Sequence, residues 1–471
     1  MASVFVTKRV NVYPKIMQPT KIMKLSNLDR QCPTLMYLVF FYNPSHNHYI
    51  NNDDYVFSCL KYALEDTLSL WYPAAGRLSK NPNNGNKLDL WCNNGGAVMV
   101  EAVTQTTISE LGNLSQYNEF FENLVYKPAC NNGNISEMPL LVAQVTKFKC
   151  GGYSIGVGTS HALFDGQATY NFMSAWASNA HTKQGFKGLE WHKPMHERER
   201  LLQLIKISPT NNNSNQATAL TKVAAIQHLY QLITQAADTG GVMLKNPQLF
   251  VPSIQEDCVL NTFHFSSSMI DSLKRRAYGL NNLYSSSMCS SFEIVAAHLW
   301  KARTKALGLR RERMVCLQFA VDTRTRLTPQ LPQDFSGNAY VLASVALTAG
   351  ELELISYETL INKIKMAKNY VDNEYVSTYL EALEGSGDAL PPLRELTVVS
   401  DWTRMPFHKV NFNFMQSHAN NVAVSVCPLV PPVPQVAYFM QSPKEDKGID
   451  VRIGLNSQIN SAFSHYFLNI S

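Results

Sequence analysis

His161-Ala162-Leu163-Phe164-Asp165 places a histidine four residues ahead of an aspartate. An imidazole is the side chain best suited to take up and release a proton near neutral pH, so a general acid or base is the chemistry such a residue could supply. The spacing alone is weak: 12 His and 16 Asp in 471 residues give about 0.4 such pairs by chance. On a helix the two side chains would share one face and offer two metal ligands, but no third ligand stands at a recognisable spacing, so no metal site is expected. A histidine without chemistry, in the core or on the surface, is the plain alternative, and context decides between them.

The elements that must position His161 are legible. Leu140–Lys149 and Ile155–Thr159 read as strands, with Gly151-Gly152 as turn residues between them. The second strand runs straight into His161, and after Gly166 the pattern becomes helical through Tyr170, Phe172, Met173 and Trp176. His161 therefore ends a strand at the turn into a helix, where a rigid scaffold holds it while its side chain can reach a cleft.

Other elements follow the same rules. Thr34–Tyr42 reads as a strand stopping at Asn43-Pro44. Tyr55–Trp71 carries Val56, Leu60, Leu64 and Leu68 on one helical face. Lys87–Cys92 and Gly96–Val103 read as a hairpin around Asn93-Asn94-Gly95. Ser290-Ser291-Phe292-Glu293 is a capping box that should open a helix running through Trp300, with His298 in its core. Val315–Val321 and Val341–Ala349 read as strands.

A chain of 471 residues and 52.9 kDa calls for two to three domains. Its composition, 45% apolar and 16% charged, excludes a disordered chain. A net charge of +5 from 41 basic and 36 acidic residues shows no basic stripe for nucleic acid. The nine cysteines are odd in number and scattered without a C-x-x-C, which reads as reduced thiols. The N-terminus lacks an apolar stretch of signal length, and the densest apolar run, Leu35–Tyr42, is far too short to span a bilayer. A soluble, cytoplasmic protein with no membrane partner is expected. Charges cluster in His196–Arg200, and Pro209–Asn215 is polar and unpatterned. Domains over 1–181 and 226–471, joined by a linker at 182–225, are the expected organisation.

Six segments carry a resemblance, in order along the chain: Tyr72–Leu78 (YPAAGRL), Gln144–Gly152 (QVTKFKCGG), Ser160–Gly166 (SHALFDG), Val321–Leu327 (VDTRTRL), Gly337-Asn338 and Ser400–Pro406 (SDWTRMP). Together they resemble the plant BAHD acyltransferases, nearest the hydroxycinnamoyl transferase branch. The resemblance implies an α/β fold of two similar-sized chloramphenicol-acetyltransferase-like domains with mixed sheets and an active-site channel between them. It implies acyl-CoA as co-substrate rather than a bound cofactor, a small-molecule acceptor and a monomer. The linker read at 182–225 fits the family's crossover.

The same resemblance assigns roles. His161 matches the general base. Asp165 matches a structural residue that pairs with an arginine, with Arg324 as a possible partner. Trp402 matches an indole that contacts the acyl oxygen; its plain alternative is a core tryptophan. Cys32 stands where these enzymes place a histidine on the first strand, and together with Ser400 and Thr403 is assigned to substrate binding. Lys274 and Arg275, in the densest basic run of the second half, and Ser290 and Ser291, at a helix start, are assigned to CoA. A solvated helix face and plain N-caps are the respective alternatives.

Two departures bear on function. Asn411-Phe412-Asn413-Phe414-Met415 stands where the family carries DFGWG, so only the first phenylalanine survives. Glu384–Asp388 stands where shikimate transferases carry an arginine that grips the acceptor carboxylate, which disfavours an anionic acceptor, although Arg394 is near. Three readings stand: transfer of an acyl group, expected to be hydroxycinnamoyl, from a CoA thioester to a hydroxyl or amine of a small plant metabolite; lactone closure of an ortho-hydroxycinnamoyl-CoA onto itself; and a non-catalytic binding protein that keeps the fold.

Overall fold

The computed structural model describes residues 3–43, 55–129, 134–183, 193–207, 223–238, 258–279, 288–383, 393–412, 425–429 and 435–470. Its strands are, in chain order, β1 (Val4–Val12), β2 (Lys21–Met23), β3 (Leu35–Tyr42), β4 (Arg77–Asn81), β5 (Lys87–Cys92), β6 (Ala97–Thr104), β7 (Leu141–Phe148), β8 (Tyr153–Ser160), β9 (Cys258–Phe265), β10 (Met314–Asp322), β11 (Tyr340–Thr348), β12 (Leu396–Trp402), β13 (Ser425–Leu429), β14 (Val436–Gln441) and β15 (Ile449–Asn456).

The chain divides into two compact units. The first comprises Met1–Leu202, Pro332–Ala339 and Met405–Val430; the second comprises Gln203–Leu331, Tyr340–Arg404 and Pro431–Ser471. This is not a contiguous partition at 181 and 226. Two downstream segments return to the first unit because each completes its hydrogen bonding there. β13 pairs antiparallel with β3, and residues 334–336 bond to Met195 through Met195 N to Asp334 O and Ser336 N to Met195 O, both 2.9 Å. Within the span read as a linker, residues 195–198 are therefore tied into the first unit. Residues 208–222, including Pro209–Asn215, lie outside the described residues.

The first unit holds a six-stranded sheet in the order β1-β6-β7-β8-β3-β13. β7 and β8 form the expected hairpin, with Gly151 supplying φ +84° at the turn. β8 is buried along its whole length, which its small residues permit. A side chain at Gly158 would press on the Tyr37 ring, 2.6 Å from an added Cβ. Helices α1 (Asn27–Arg30), α2 (Tyr55–Leu70), α3 (Gly166–Lys183) and α4 (Glu199–Ile207) follow in chain order. Trp176 of α3 is fully buried and donates its indole N–H to Leu60 O of α2 at 3.0 Å.

The expected hairpin of β5 and β6 does not form. β5 lies in a separate small sheet ordered β2-β5-β4, whereas β6 lies between β1 and β7. Both strands have the expected extent, but burial separates them: Val98, Met99 and Val100 of β6 bury consecutive side chains as a central strand does, while Trp91 of β5 faces solvent. Asn94 and Gly96, with φ 54° and 78°, turn the chain from one sheet to the other. The Arg77 guanidinium fixes that turn by donating to Gly95 O and Gly96 O at 2.7 and 2.8 Å.

The second unit holds a six-stranded mixed sheet ordered β11-β10-β12-β14-β15-β9, with β10–β12 and β12–β14 parallel and the other pairs antiparallel. The helix Ser291–Ala306 starts where the capping box places it: Ser290 Oγ accepts from Glu293 N at 3.2 Å, and Ser290 N donates to Glu293 Oε2 at 2.9 Å. Ile294, Val295, Leu299 and Trp300 of this helix are fully buried. Two mixed, helix-covered sheets are the expected fold class.

Candidate active site

His161 follows the last residue of β8, as the sequence pattern predicts. Its main-chain N donates to Thr34 O at 2.9 Å, beside the start of β3. The two residues after it in the turn are buried, and so is Asp165, while His161 itself is half-buried. The turn is clamped through its main chain. Asn338 Nδ2 donates to His161 O at 2.8 Å, and an Arg198 terminal N donates to Leu163 O at 2.9 Å.

Both clamps are held by one carboxylate. Asp29 Oδ1 accepts from Asn338 N and Nδ2, at 3.2 and 2.8 Å, and Asp29 Oδ2 lies 3.3 Å from Arg198 Nε. Ser26 completes the arrangement by donating its N–H and hydroxyl to Asp29 Oδ2, at 2.9 and 2.8 Å. Ser26, Asp29, Arg198 and Asn338 are all essentially without solvent exposure. A buried charge is tolerated only when paired and hydrogen-bonded, and here each is. Gly337 allows the close packing beside Asn338, since an added Cβ would stand 2.8 Å from the Phe335 ring.

Asp165 is buried and caps α3. Its Oδ1 accepts from Ala168 N at 2.9 Å, and its Oδ2 accepts from Ala339 N at 3.0 Å. The carboxylate thus ties the helix start to the segment carrying Asn338. Nearby, the His196 ring bridges Ser336 Oγ (2.5 Å from Nδ1) and Leu70 O (2.9 Å from Nε2). Burial pulls its pKa down to about 3, so it is neutral and serves the scaffold. Cys32 is half-buried, its Sγ 3.1 Å from Thr34 Oγ1, the residue whose carbonyl receives the His161 N–H.

In the second unit, the parallel register that sets Phe319 opposite Val399 brings the ends of β10 and β12 to the same edge of the sheet. Arg324, just beyond β10, is buried, and its N and guanidinium engage Asp322 Oδ1 at 2.9 and 3.2 Å. Ser400, Trp402 and Thr403 lie together at the end of β12. The Trp402 indole N–H donates to Ser400 Oγ at 2.9 Å, and its ring meets Tyr438 edge-on at 5.4 Å. Thr403 N and Oγ1 donate to Asp401 Oδ1 at 3.0 and 2.7 Å. Burial nevertheless holds the Asp401 carboxyl above the usual carboxylate range.

The residues assigned to CoA lie on or beside two helices. Lys274 is buried and Arg275 exposed on the same helix, Ser267–Tyr278, with the Arg275 guanidinium on Ser272 Oγ at 3.0 Å. Ser290 acts as the N-cap described above, and Ser291 is the first residue of that helix. Of the altered Asn411–Met415 segment, the surviving Phe412 is a core residue 5.0 Å from the Trp176 ring, and Tyr153 Oη donates to its carbonyl at 2.9 Å. Asn413, Phe414 and Met415, like Glu384–Asp388, lie outside the described residues.

The comparison with known proteins decides the family. The model of the Transferase family matches residues 2–469. The chain belongs to this family, the BAHD acyltransferases. Brassinosteroid-related acyltransferase 1 of Arabidopsis thaliana is 51% identical over 476 residues, covering 98% of both chains. Omega-hydroxypalmitate O-feruloyl transferase of Arabidopsis thaliana is 28% identical and covers 95% of this chain and 88% of its own length. Among solved structures, vinorine synthase shares the fold with a TM-score of 0.70 at 21% identity, covering 98% of this BAHD chain and 96% of its own. TRI101 of F. sporotrichioides, complexed with coenzyme A and T-2, has a TM-score of 0.65 at 15% identity, with 94% and 97% covered. The protein is thus a BAHD acyltransferase of the expected two-domain mixed α/β fold.

The sequence reading located His161 at the end of its strand but gave no strand at Leu396–Trp402 and missed the roles of Asp29, Arg198 and Ser26. Arg198 sat in a charge cluster read as linker. An arginine so thoroughly buried answers a buried carboxylate, yet nothing in the sequence links it to Asp29, 169 positions upstream.

Proposed function

We propose that this chain transfers an acyl group from a CoA thioester to a hydroxyl of a neutral, lipophilic acceptor of the brassinosteroid kind, with His161 as the general base. The observation that carries the base assignment is the clamping of the His161 turn through main-chain carbonyls by Asn338 and Arg198, which fixes residue 161 in place at the end of β8. The acceptor class is supported by the printed name of the 51% identical relative. It agrees with the absence of an arginine from Glu384–Asp388, where an anionic acceptor would need one.

In this reading the acceptor hydroxyl gives its proton to the His161 ring as its oxygen attacks the thioester carbon. The tetrahedral oxyanion collapses, the C–S bond breaks, and the CoA thiolate recovers the proton from the imidazolium. If Trp402 contacts the acyl oxygen, its indole N–H exchanges Ser400 Oγ for that oxygen. A hydroxycinnamoyl donor is supported by the resemblance and by relatives named for feruloyl and caffeoyl transfer at 28% identity. The acceptor reading rests on the far nearer relative and takes precedence where the two differ.

The test is a panel of acetyl-, medium-chain and hydroxycinnamoyl-CoAs incubated with and without a brassinosteroid, following free CoA and the mass of the product. CoA release that depends on the steroid, with an ester formed, is expected. Release without acceptor, yielding a lactone, would overturn the reading, as would release driven only by amines or acidic acceptors.

A further inference from the structure

The positive charge of this protein is concentrated. Residues 1–24 carry Lys8, Arg9, Lys15, Lys21 and Lys24 and no acidic residue. Removing those five from the 41 basic residues leaves 36, equal to the 36 acidic ones, so the whole net charge of +5 belongs to the first 24 positions. The same segment exposes large apolar side chains. Ile16 is 65% exposed, Met17 61% and Ile22 60%, and Trp91 of the neighbouring strand is 45% exposed. Single exposed apolar residues need no explanation, but contiguous ones do.

Hydrogen bonds on either side show that these residues are neighbours. Ile22 of β2 is the direct cross-strand partner of Trp91 in β5. Gln18, next to Met17, exchanges two bonds with Asn94 just beyond β5: its N–H donates to Asn94 Oδ1 at 3.3 Å, and its carbonyl accepts from Asn94 Nδ2 at 2.8 Å. On the other side, Lys15 N donates to Glu65 O and Ile16 N to Ser69 Oγ, both at 3.0 Å, at the end of α2. Ile16 and Met17 therefore sit on a loop pinned at both ends and bounded by Pro14 and Pro19. The exposed Lys15 and Lys24 flank the apolar positions along the chain, while Lys21, next to Ile22 in β2, points to the opposite face. Lys15 is partly answered by Asp66, 3.1 Å away, and Lys21 lies over the Tyr72 ring at 4.9 Å.

We propose that this surface, the Ile16-Met17 loop with Ile22 and Trp91, docks the protein onto an anionic lipid membrane. The charge complementarity selects the occupant: lysines beside an apolar tip, in a segment with no acidic residue, suit negative headgroups above hydrocarbon, and a tryptophan at the rim suits the boundary between them. Among the described residues no helix is long and apolar enough to cross a membrane, and surface docking needs none. The sequence reading expected no membrane partner because it looked for a span. The patch is assembled instead from positions 16, 17, 22 and 91, which fall together only in the fold. The inference is independent of the acceptor proposed above.

The test is flotation of the full chain with vesicles of phosphatidylcholine alone or with roughly 30 mol% phosphatidylserine. Binding to the anionic vesicles only is expected, weakening as salt rises from about 0.1 M to about 0.5 M. An Ile16→Asp/Met17→Asp variant should lose at least about tenfold of the bound fraction, and a Lys15→Glu/Lys24→Glu variant should lose a comparable share. Unchanged thermal stability and acyl transfer in solution would show that both variants are folded. A wild-type chain that stays with the unbound fraction, or an apolar variant that floats like wild type, overturns the proposal. So does a concentration-dependent dimer abolished by the Ile16→Asp/Met17→Asp change, which would assign the patch to a second copy.

Discussion

Asn338 Nδ2 bonds the main-chain carbonyl of His161 at 2.8 Å across 177 positions of sequence. The remaining donors of Asn338 are fixed on Asp29. The height of the His161 turn is therefore set by a buried amide whose orientation is itself locked by a carboxylate. Positioning of this kind counts because a base misplaced by about 1 Å costs roughly 10²-fold in rate.

Replacing Asn338 should reveal that positioning. Asn338→Ala removes the side-chain amide that donates to Asp29 Oδ1 and to His161 O, while the main-chain N–H to Asp29 remains, which should cost about 1–3 kcal/mol of stability. Turnover should fall about tenfold while KM for acyl-CoA stays near wild type. Asn338→Asp should be worse, because it sets a second carboxylate against Asp29. A purely structural role would lower the urea midpoint without changing kcat of the folded fraction.

His161→Ala should lower kcat by about 10²–10⁴-fold, the scale of a lost general base. Its melting temperature should stay close to wild type, because the bonds that hold the turn use the main chain of residue 161. Near-normal turnover in this variant would remove His161 from the mechanism.

Asp165→Ala should act on stability first. It deprives the start of α3 of its cap and leaves the Ala339 N–H without this acceptor. The combined loss is about 2–4 kcal/mol. Asp165→Asn keeps an acceptor oxygen and should recover part of it. Equilibrium urea unfolding of the three proteins gives the order, and an Asp165→Ala protein as stable as wild type would contradict it.

Acid should destabilise the second unit through His298. This side chain is buried, accepting from Tyr357 Oη at Nδ1 (2.7 Å) and donating from Nε2 to Phe467 O at 2.8 Å. Burial, reinforced by Arg276 and opposed by the Phe467 bond, draws its pKa down to about 4. The unfolded state then binds more protons between the ordinary histidine value and about 4, so stability is complete above pH about 6.5 and declines as pH falls through that window. About 2 kcal/mol should be lost by pH 5 from this group. His298→Gln should flatten that part of the stability–pH curve, and unfolding titrations at several pH values would show it.

The sequence by itself determined what local patterns control. The β7–β8 hairpin, the helix from Ser291 and the place of His161 at the end of β8 each follow from alternation, a glycine turn or a capping box, all encoded within a few residues. The ordered motifs from Tyr72 to Pro406 likewise carried the family. Tertiary structure alone decided which sheet each of β5 and β6 joins, that β13 completes the sheet of the first unit, and that Asp29, Arg198 and Asn338 converge behind the His161 turn. It also decided that Ile16, Met17, Ile22 and Trp91 share a surface. Periodicity and capping report the fate of a side chain relative to its own helix or strand. A buried hydrogen bond between residues 29 and 338 has no period and no local partner, and it exists because the folded chain leaves those polar groups nowhere else to be satisfied.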